Sequence, residues 1–249
     1  MTDGPQRGYA RPLALLPARL RASTVLSLAL TVYLGVLALL LATFSVVTED
    51  VLDGGRLVRV DDPVSRFLIG HRTPWLTPVM RVVTDLGSAL VVVPLVLAVG
   101  VVARRTRGSW RPLAFVSLVV IGATLTSTLI KVLVARPRPT TGALVHALGY
   151  AFPSGHSTTS AAAWLSAAVV VGSLTRSALA RTVLGVVAVL VVGLVGVSRI
   201  YLGVHAPTDV LGGWALGTAW LIGTLAVVRL ARRRGPEPAR PSPEPRPLP

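Results

Sequence analysis

Six long apolar segments, separated by shorter polar stretches, make up most of the chain. Each approaches the ~20 residues that an α-helix needs to cross the hydrocarbon core of a bilayer. They run approximately over residues 24–47, 82–103, 113–134, 157–175, 181–199 and 208–229. The first follows a basic stretch, but its apolar run exceeds the ~7–15 residues of a signal peptide, so we expect a retained span. The pattern predicts an all-α polytopic membrane protein, a bundle of six transmembrane helices.

Basic residues alternate between the two ends of these spans. Arginines precede the first span, occupy the loops at 104–112 and 175–181, and follow the last span. The segment 48–78 instead carries half of all acidic residues, namely Glu49, Asp50, Asp53, Asp61 and Asp62. Because cytoplasmic loops are the basic ones, both termini should be cytoplasmic. The loops at 48–78, 135–156 and 200–207 should then face outward from the cell membrane.

Composition agrees with this arrangement. Of the 249 residues, 52% are hydrophobic and 14% charged, too few polar residues for a soluble domain. The net charge of +15 does not indicate nucleic-acid binding, because the arginines flank apolar segments and form no continuous stripe. The chain has no cysteine, which excludes disulfides and thiolate metal sites. We therefore expect a basic N-terminal segment at 1–23, a membrane domain at 24–232 and a disordered proline-rich tail at 233–249.

Three polar clusters lie at span ends on the predicted outer side. The first runs from Lys131 to Pro139 and contains the only lysine among 25 basic residues. An ammonium at this one place indicates that a compact positive charge is required there. Two prolines end the helix after it, which directs Arg138 away from the helix.

The second cluster is Pro153-Ser154-Gly155-His156, directly before the fourth span. Gly155 allows close approach of a ligand to the backbone, and the first N–H groups of the helix favour an anion. His156 has a titration range suited to proton transfer.

The third cluster comprises Ser198, Arg199, His205 and Asp209. Pro207 suits the first turn of the sixth helix, so His205 and Asp209 should share one helix face. A carboxylate at that spacing can accept the Nδ1 proton of the imidazole and leave the other nitrogen nucleophilic.

Two histidines, a carboxylate and three cations thus converge on one side of the bundle. Phosphoryl transfer requires such a set: positive charge around the phosphate oxygens, a nucleophile and a proton donor. The sequence has neither a carboxylate cluster for magnesium nor an HExxH zinc motif. We expect a reaction without a metal or other cofactor.

The patterns K-x6-R-P, P-S-G-H and S-R-x5-H-x3-D resemble those of the type-2 phosphatidic acid phosphatase family, related to the vanadium haloperoxidases. All eleven specified positions are present in order. The resemblance implies that His205 attacks phosphorus and becomes a phosphohistidine, with Asp209 orienting its ring. It further implies that His156 protonates the leaving group and then activates water. The phosphate ligands that it implies are Lys131, Arg138, Ser154, Gly155 and Arg199.

Alternatives remain at several levels. The motif binds phosphate and does not choose among lipids, so polyprenyl pyrophosphate, favoured because its recycling needs an outward-facing site, stands beside phosphatidylglycerol phosphate and phosphatidic acid. A haloperoxidase would share the site but not six spans, and a non-enzymatic lipid-binding or lipid-transport protein would share the fold. Asp85 could reach the site, although neutralisation by Arg81 is the simpler interpretation. His71 and His146 are assigned no chemistry, and Gly213 and Gly217 are interpreted as helix-packing positions.

Overall fold

The computed structural model describes residues 18–139 and 142–233. Within these ranges the chain forms eight α-helices and no β-strand, so the predicted all-α class is confirmed. The helices are α1 (Ala18–Asp53), α2 (Val58–Gly70), α3 (Leu76–Asp85), α4 (Ala89–Arg107), α5 (Arg111–Val134), α6 (Gly155–Gly172), α7 (Ala178–Tyr201) and α8 (Pro207–Arg233). Residues 234–249 of the tail predicted at 233–249, and residues 1–17 of the basic segment, lie outside the described residues.

Five of these helices are long and apolar enough to cross a membrane, namely α1, α4, α5, α7 and α8. The fourth predicted span corresponds to α6, which has 18 residues but begins with serines and threonines that neighbouring helices bury. A helix surrounded by protein does not need an apolar surface toward lipid. The count of six spans therefore stays a prediction, whereas the membrane bundle itself is confirmed.

The segment 48–78 differs from the predicted loop. It contains the end of α1, all of α2 and the start of α3. The predicted span 82–103 also begins too early, because α3 ends at Asp85 and α4 starts at Ala89. Gly87 lies in the intervening turn, where an added Cβ would lie 2.7 Å from the His156 carbonyl oxygen. Thr84, Asp85 and Ser88 interrupt the apolar run at this turn, whereas the close approach of Gly87 to His156 becomes visible only in the fold.

Helix α6 lies at the centre of the bundle. Helices α5, α7 and α8 pack against it, α4 contacts it as well, and α1 packs on α8. Ala161, Ala162 and Ala163 on α6 are fully buried. An added Cβ at Gly217 would lie 2.4 Å from the Thr158 carbonyl oxygen, and one at Gly213 would lie 2.7 Å from that of Ser154. The packing role predicted for these glycines is thus confirmed.

Backbone hydrogen bonds join the segments at one end of the bundle. The Ser154 N–H, before α6, donates to the Asp209 carbonyl in α8 over 2.8 Å. The Leu144 N–H, in the loop after α5, donates to the Leu202 carbonyl after α7 over 2.9 Å. All three polar clusters predicted from the sequence consequently lie together at this end.

Candidate active site

His205 and Asp209 form a buried pair at the start of α8. His205 lies in the turn before the helix and Asp209 in its first turn, and the His205 Nδ1 is 3.3 Å from the Asp209 Oδ2. The same oxygen accepts the Ala206 backbone N–H over 2.9 Å, so the carboxylate also caps its own helix. Exposure is 2% for His205 and 0% for Asp209. The predicted i, i+4 contact is present.

The imidazole of His205 is neutral around pH 7. Burial lowers its pKa to about 4, and the positive charges of Arg199 and Arg138 act in the same direction. The hydrogen bond to Asp209 opposes this shift without reversing it. With the proton on Nδ1 directed at Asp209, the lone pair lies on Nε2. A neutral ring with a free Nε2 electron pair is the nucleophilic form.

Arg138 lies directly against the Nε2 of His205. Its Nη1 is 3.1 Å from Nε2 and also donates to the Val204 carbonyl, while Nε and Nη2 donate to the carbonyls of Gly149 and Leu148. Burial lowers the pKa of Arg138 below its ordinary value. The guanidinium thus contacts the Nε2 of His205 and holds the 148–149 segment of the loop at the same time.

Lys131 also donates hydrogen bonds to backbone carbonyls. From the last turn of α5, its Nζ donates to Pro153 over 2.6 Å, to Tyr150 over 2.9 Å and to Ala151 over 3.4 Å. The ammonium therefore holds the chain that leads into Ser154 and α6. The sequence predicted a charge near a phosphate, and the structure adds this positioning of the loop.

The N-terminus of α6 presents the second cluster. Ser154 caps the helix, because its Oγ accepts the Ser157 backbone N–H over 3.5 Å, and it also accepts the Ser157 hydroxyl over 3.0 Å. An added Cβ on Gly155 would meet only the Lys131 Cε, at 3.9 Å, so protein packing does not require glycine there. His156 is half-buried and lies in the field of Arg199, His205, Arg138 and Lys131. Backbone N–H groups, a proton carrier and three cations thus share one region.

One N–H donor of the Arg199 guanidinium has no partner among the described residues. Its Nη1 donates to the Thr84 Oγ1 over 2.8 Å, and the residue is only 4% exposed. Its buried Nε makes no hydrogen bond within the described part of the chain. A buried guanidinium N–H without an acceptor is costly, and an anion in the site would supply one. This orphaned donor fits the phosphate that the sequence predicts.

Three residues that sequence reasoning did not assign complete the surroundings of Asp209. Arg136 donates from Nη1 to the Asp209 Oδ1 over 2.6 Å and from Nη2 to the Asp61 Oδ2 over 2.8 Å. Thr208 accepts from Arg136 and donates to Asp61. Burial alone would lower the pKa of Arg136, but the two carboxylates outweigh it and raise the pKa above its ordinary value. In the sequence, the repeated Arg-Pro pair at 136–139 is the one feature that draws attention to Arg136.

The interpretation of Asp85 requires correction. Within the described ranges Arg81 makes no ion pair with it, because its guanidinium donates instead to the Leu144 carbonyl over 3.2 Å. The charge of Asp85 acts on Arg199. Arg81 faces the loop after α5, a contact that hydropathy does not reveal.

Fold and site together define the class: an integral membrane protein of α-helices with a buried His–Asp pair, surrounded by cations, at one end of its bundle. The family model of the PAP2 superfamily matches residues 112–233. Phosphatidylglycerophosphatase B of Bacillus subtilis (strain 168) is 36% identical over 159 residues, which are 63% of this chain and 77% of that protein. The chain therefore belongs to the PAP2 superfamily and is a membrane phosphatase.

Two crystal structures resemble the fold. The transmembrane PAP2-type phosphatidylglycerolphosphate phosphatase from Bacillus subtilis gives a TM-score of 0.74 at 28% identity, covering 80% of this chain and 98% of that one. LpxE from Aquifex aeolicus gives a TM-score of 0.54 at 25% identity, covering 67% and 94%. The likeness extends beyond residues 112–233, so helices that precede the family match also belong to the shared fold.

Proposed function

We propose that this protein hydrolyses a phosphomonoester or pyrophosphate of a membrane lipid through a phosphohistidine on His205, without a metal ion. The observation that carries the proposal is the geometry of His205. Asp209 accepts a hydrogen bond from its Nδ1–H, burial keeps the ring neutral, and Nε2 faces the cations that would bind phosphate. A positioned nucleophile among preorganised positive charges is what phosphoryl transfer requires.

In the first step the Nε2 electron pair of His205 forms a bond to phosphorus. The bond from phosphorus to the lipid oxygen breaks, its electrons stay on that oxygen, and His156 supplies the proton that neutralises it. Burial and the surrounding cations lower the pKa of His156 to about 3 in the free protein, so His156 carries this proton only once the negative charge of the bound phosphate offsets those cations. Arg138 turns from Nε2 to a phosphate oxygen, while Arg199 uses its unpaired Nε. Lys131 exchanges one of its three carbonyl acceptors for a phosphate oxygen, and the Ser154–Gly155 segment completes the ligands.

In the second step His156, now neutral, takes a proton from water. The water oxygen attacks phosphorus as the bond to Nε2 breaks, and inorganic phosphate leaves. Both histidines return to their starting protonation states. The protons balance, because His156 gives one to the lipid oxygen and regains one from water.

The substrate is the finer part of the proposal. The likeness in sequence and in fold to a Bacillus subtilis phosphatase named for phosphatidylglycerol phosphate supports that lipid. An outward-facing site supports polyprenyl pyrophosphate, because recycling it needs a phosphatase on the outer face of the cell membrane. The alternation of basic loops supports an outward-facing site.

Phosphate release by the detergent-purified protein tests the proposal. The panel contains phosphatidylglycerol phosphate, polyprenyl pyrophosphate and phosphatidic acid, each in excess EDTA. We expect release by the wild type and its loss in His205→Ala. His146→Ala is the matched control, since His146 is exposed on the loop after α5. No release from any of these lipids would favour the non-enzymatic alternative, and undiminished release by His205→Ala would refute the mechanism.

A further inference from the structure

Asp61 on α2 reaches the catalytic pair from outside the segment that matches the family. It lies well before residues 112–233, in the acidic segment that hydropathy treats as a loop. Its carboxylate is 5% exposed although its neighbour Asp62 is exposed. A charged side chain that is buried requires partners, and those partners indicate what Asp61 does.

Both oxygens of Asp61 are committed to the start of α8. Oδ1 accepts the Thr208 backbone N–H over 2.9 Å, and Oδ2 accepts the Thr208 hydroxyl over 2.6 Å. Thr208 belongs to the first turn of α8, whose N–H groups have no partner within the helix. Asp61 thus caps α8 from another helix, and it holds the residue that immediately precedes Asp209.

Arg136 connects the two carboxylates. One guanidinium nitrogen is 2.8 Å from the Asp61 Oδ2 and the other 2.6 Å from the Asp209 Oδ1. The planar fork fixes both distances at once, which a lysine could not do. Asp209 is consequently held on one side by Arg136 and on the other by His205 and the Ala206 N–H.

The hydrogen bond between His205 and Asp209, which this arrangement maintains, is already long. The distance of 3.3 Å between His205 Nδ1 and Asp209 Oδ2 already lies at the long end of the hydrogen-bond range. A shift of Asp209 by a few tenths of an ångström would break it. Displacements of about 1 Å at a catalytic group cost on the order of 100-fold in rate.

We propose that Asp61 and Arg136 are positioning residues for the reaction: they hold Asp209 in register with His205 without contacting the substrate. The inference rests on the proposed phosphohistidine mechanism. It assigns to α2 a role in catalysis beyond completing the bundle. The contacts of Asp61 and Arg136 with the start of α8, called the tether below, join α2, the loop after α5 and α8 at one point.

Asp61→Asn tests the proposal with nearly unchanged side-chain shape. The amide offers one acceptor, so its NH2 group faces either the Thr208 N–H or the Arg136 guanidinium, donor against donor. We expect the single-turnover rate constant to fall roughly 10- to 100-fold, with KM changed by less than about twofold. Asp62→Asn, the exposed neighbour, should match the wild type.

The single-turnover rate constant is chosen because it does not depend on the fraction of active protein. A merely structural role for Asp61 would lower the yield or amplitude and leave that constant unchanged, which would overturn the proposal. Asp61→Asn should also move the acid limb of kcat/KM to lower pH, because the uncompensated charge of Arg136 further disfavours protonation of His205.

A double-mutant cycle tests whether Asp61 acts through Arg136. The double variant Asp61→Asn/Arg136→Ala should lose far less than the product of the two single losses. Losses that multiply would show independent action and contradict the tether. His205→Ala is measured alongside: if it retains wild-type activity, the proposed mechanism fails whatever Asp61 does. If His205→Ala is inactive while Asp61→Asn keeps the wild-type rate constant, only the positioning role is wrong.

Discussion

Asp209→Asn is the perturbation that examines the orientation of His205 most closely. The carboxylate accepts three hydrogen bonds, from the His205 Nδ1, the Ala206 N–H and the Arg136 guanidinium. An asparagine keeps the shape but has one acceptor oxygen. If its NH2 faces His205, the ring must accept at Nδ1 and carry its proton on Nε2, where nucleophilic attack should occur. If its oxygen faces His205, the NH2 group opposes Arg136.

Both orientations predict a large effect on rate. When the carboxylate that fixes the tautomer of a catalytic histidine is replaced by an amide, rates fall on the order of 10,000-fold. We therefore expect kcat to fall about 1,000- to 10,000-fold, equivalent to ~4–5.5 kcal/mol of barrier at 1.36 kcal/mol for each tenfold. The fold should survive, because Arg136 keeps its ion pair with Asp61.

The assay is steady-state release of phosphate from mixed micelles, with kcat and KM determined separately. KM should change little, because Asp209 donates nothing to the phosphate in the proposed mechanism. Gel filtration in detergent and helical circular dichroism report whether the variant folds. A folded Asp209→Asn enzyme within about tenfold of the wild-type kcat would refute the reasoning about the tautomer.

Three further outcomes follow from the described contacts. Thr84→Val removes the hydroxyl that accepts from Arg199 and should raise KM roughly tenfold in the same assay. An unchanged KM would show that the Thr84 hydroxyl does not position the Arg199 guanidinium. Gly217→Ala places a Cβ within 2.4 Å of the α6 backbone and should lower Tm by several degrees. The control Gly185→Ala, whose added Cβ meets no described atom within 4 Å, should leave Tm unchanged, and equal Tm values for the two variants would contradict the close packing. Because the pKa of His205 is lowered to about 4, the fall of kcat/KM on acidification, corrected for substrate ionisation, should begin only below pH 5; an acid limb near pH 6.5 would show an ordinary histidine.

Periodicity and hydropathy predicted the main spans because each is a continuous apolar run with polar ends. The same signal failed at 48–88, where α2 and α3 are short and the turn at Gly87 is set by contact with His156. Such a turn depends on a neighbour distant in sequence. For α6 the pattern predicted the helix correctly, and its crossing of the membrane stays a prediction, because its small and polar residues are suited to a helix surrounded by protein.

The site likewise combines contacts that local spacing predicts with contacts that only the fold creates. The i, i+4 spacing of His205 and Asp209 is a local relation, and it predicted their contact correctly. The partnership of Asp61, Arg136 and Asp209 spans more than 140 residues, and only the fold brings it together. Spacing also could not reveal that Lys131 and Arg138 donate to backbone carbonyls of the same loop.

Trapping of the covalent intermediate is the most direct test of the central claim. The purified protein would be mixed with a lipid substrate carrying ³²P in the phosphate that is released, quenched in alkali within milliseconds, and digested for mass spectrometry. The account predicts a base-stable, acid-labile phosphate on His205 in the wild type, and none in His205→Ala. Turnover without any labelled protein, or the same label in His205→Ala, would contradict it.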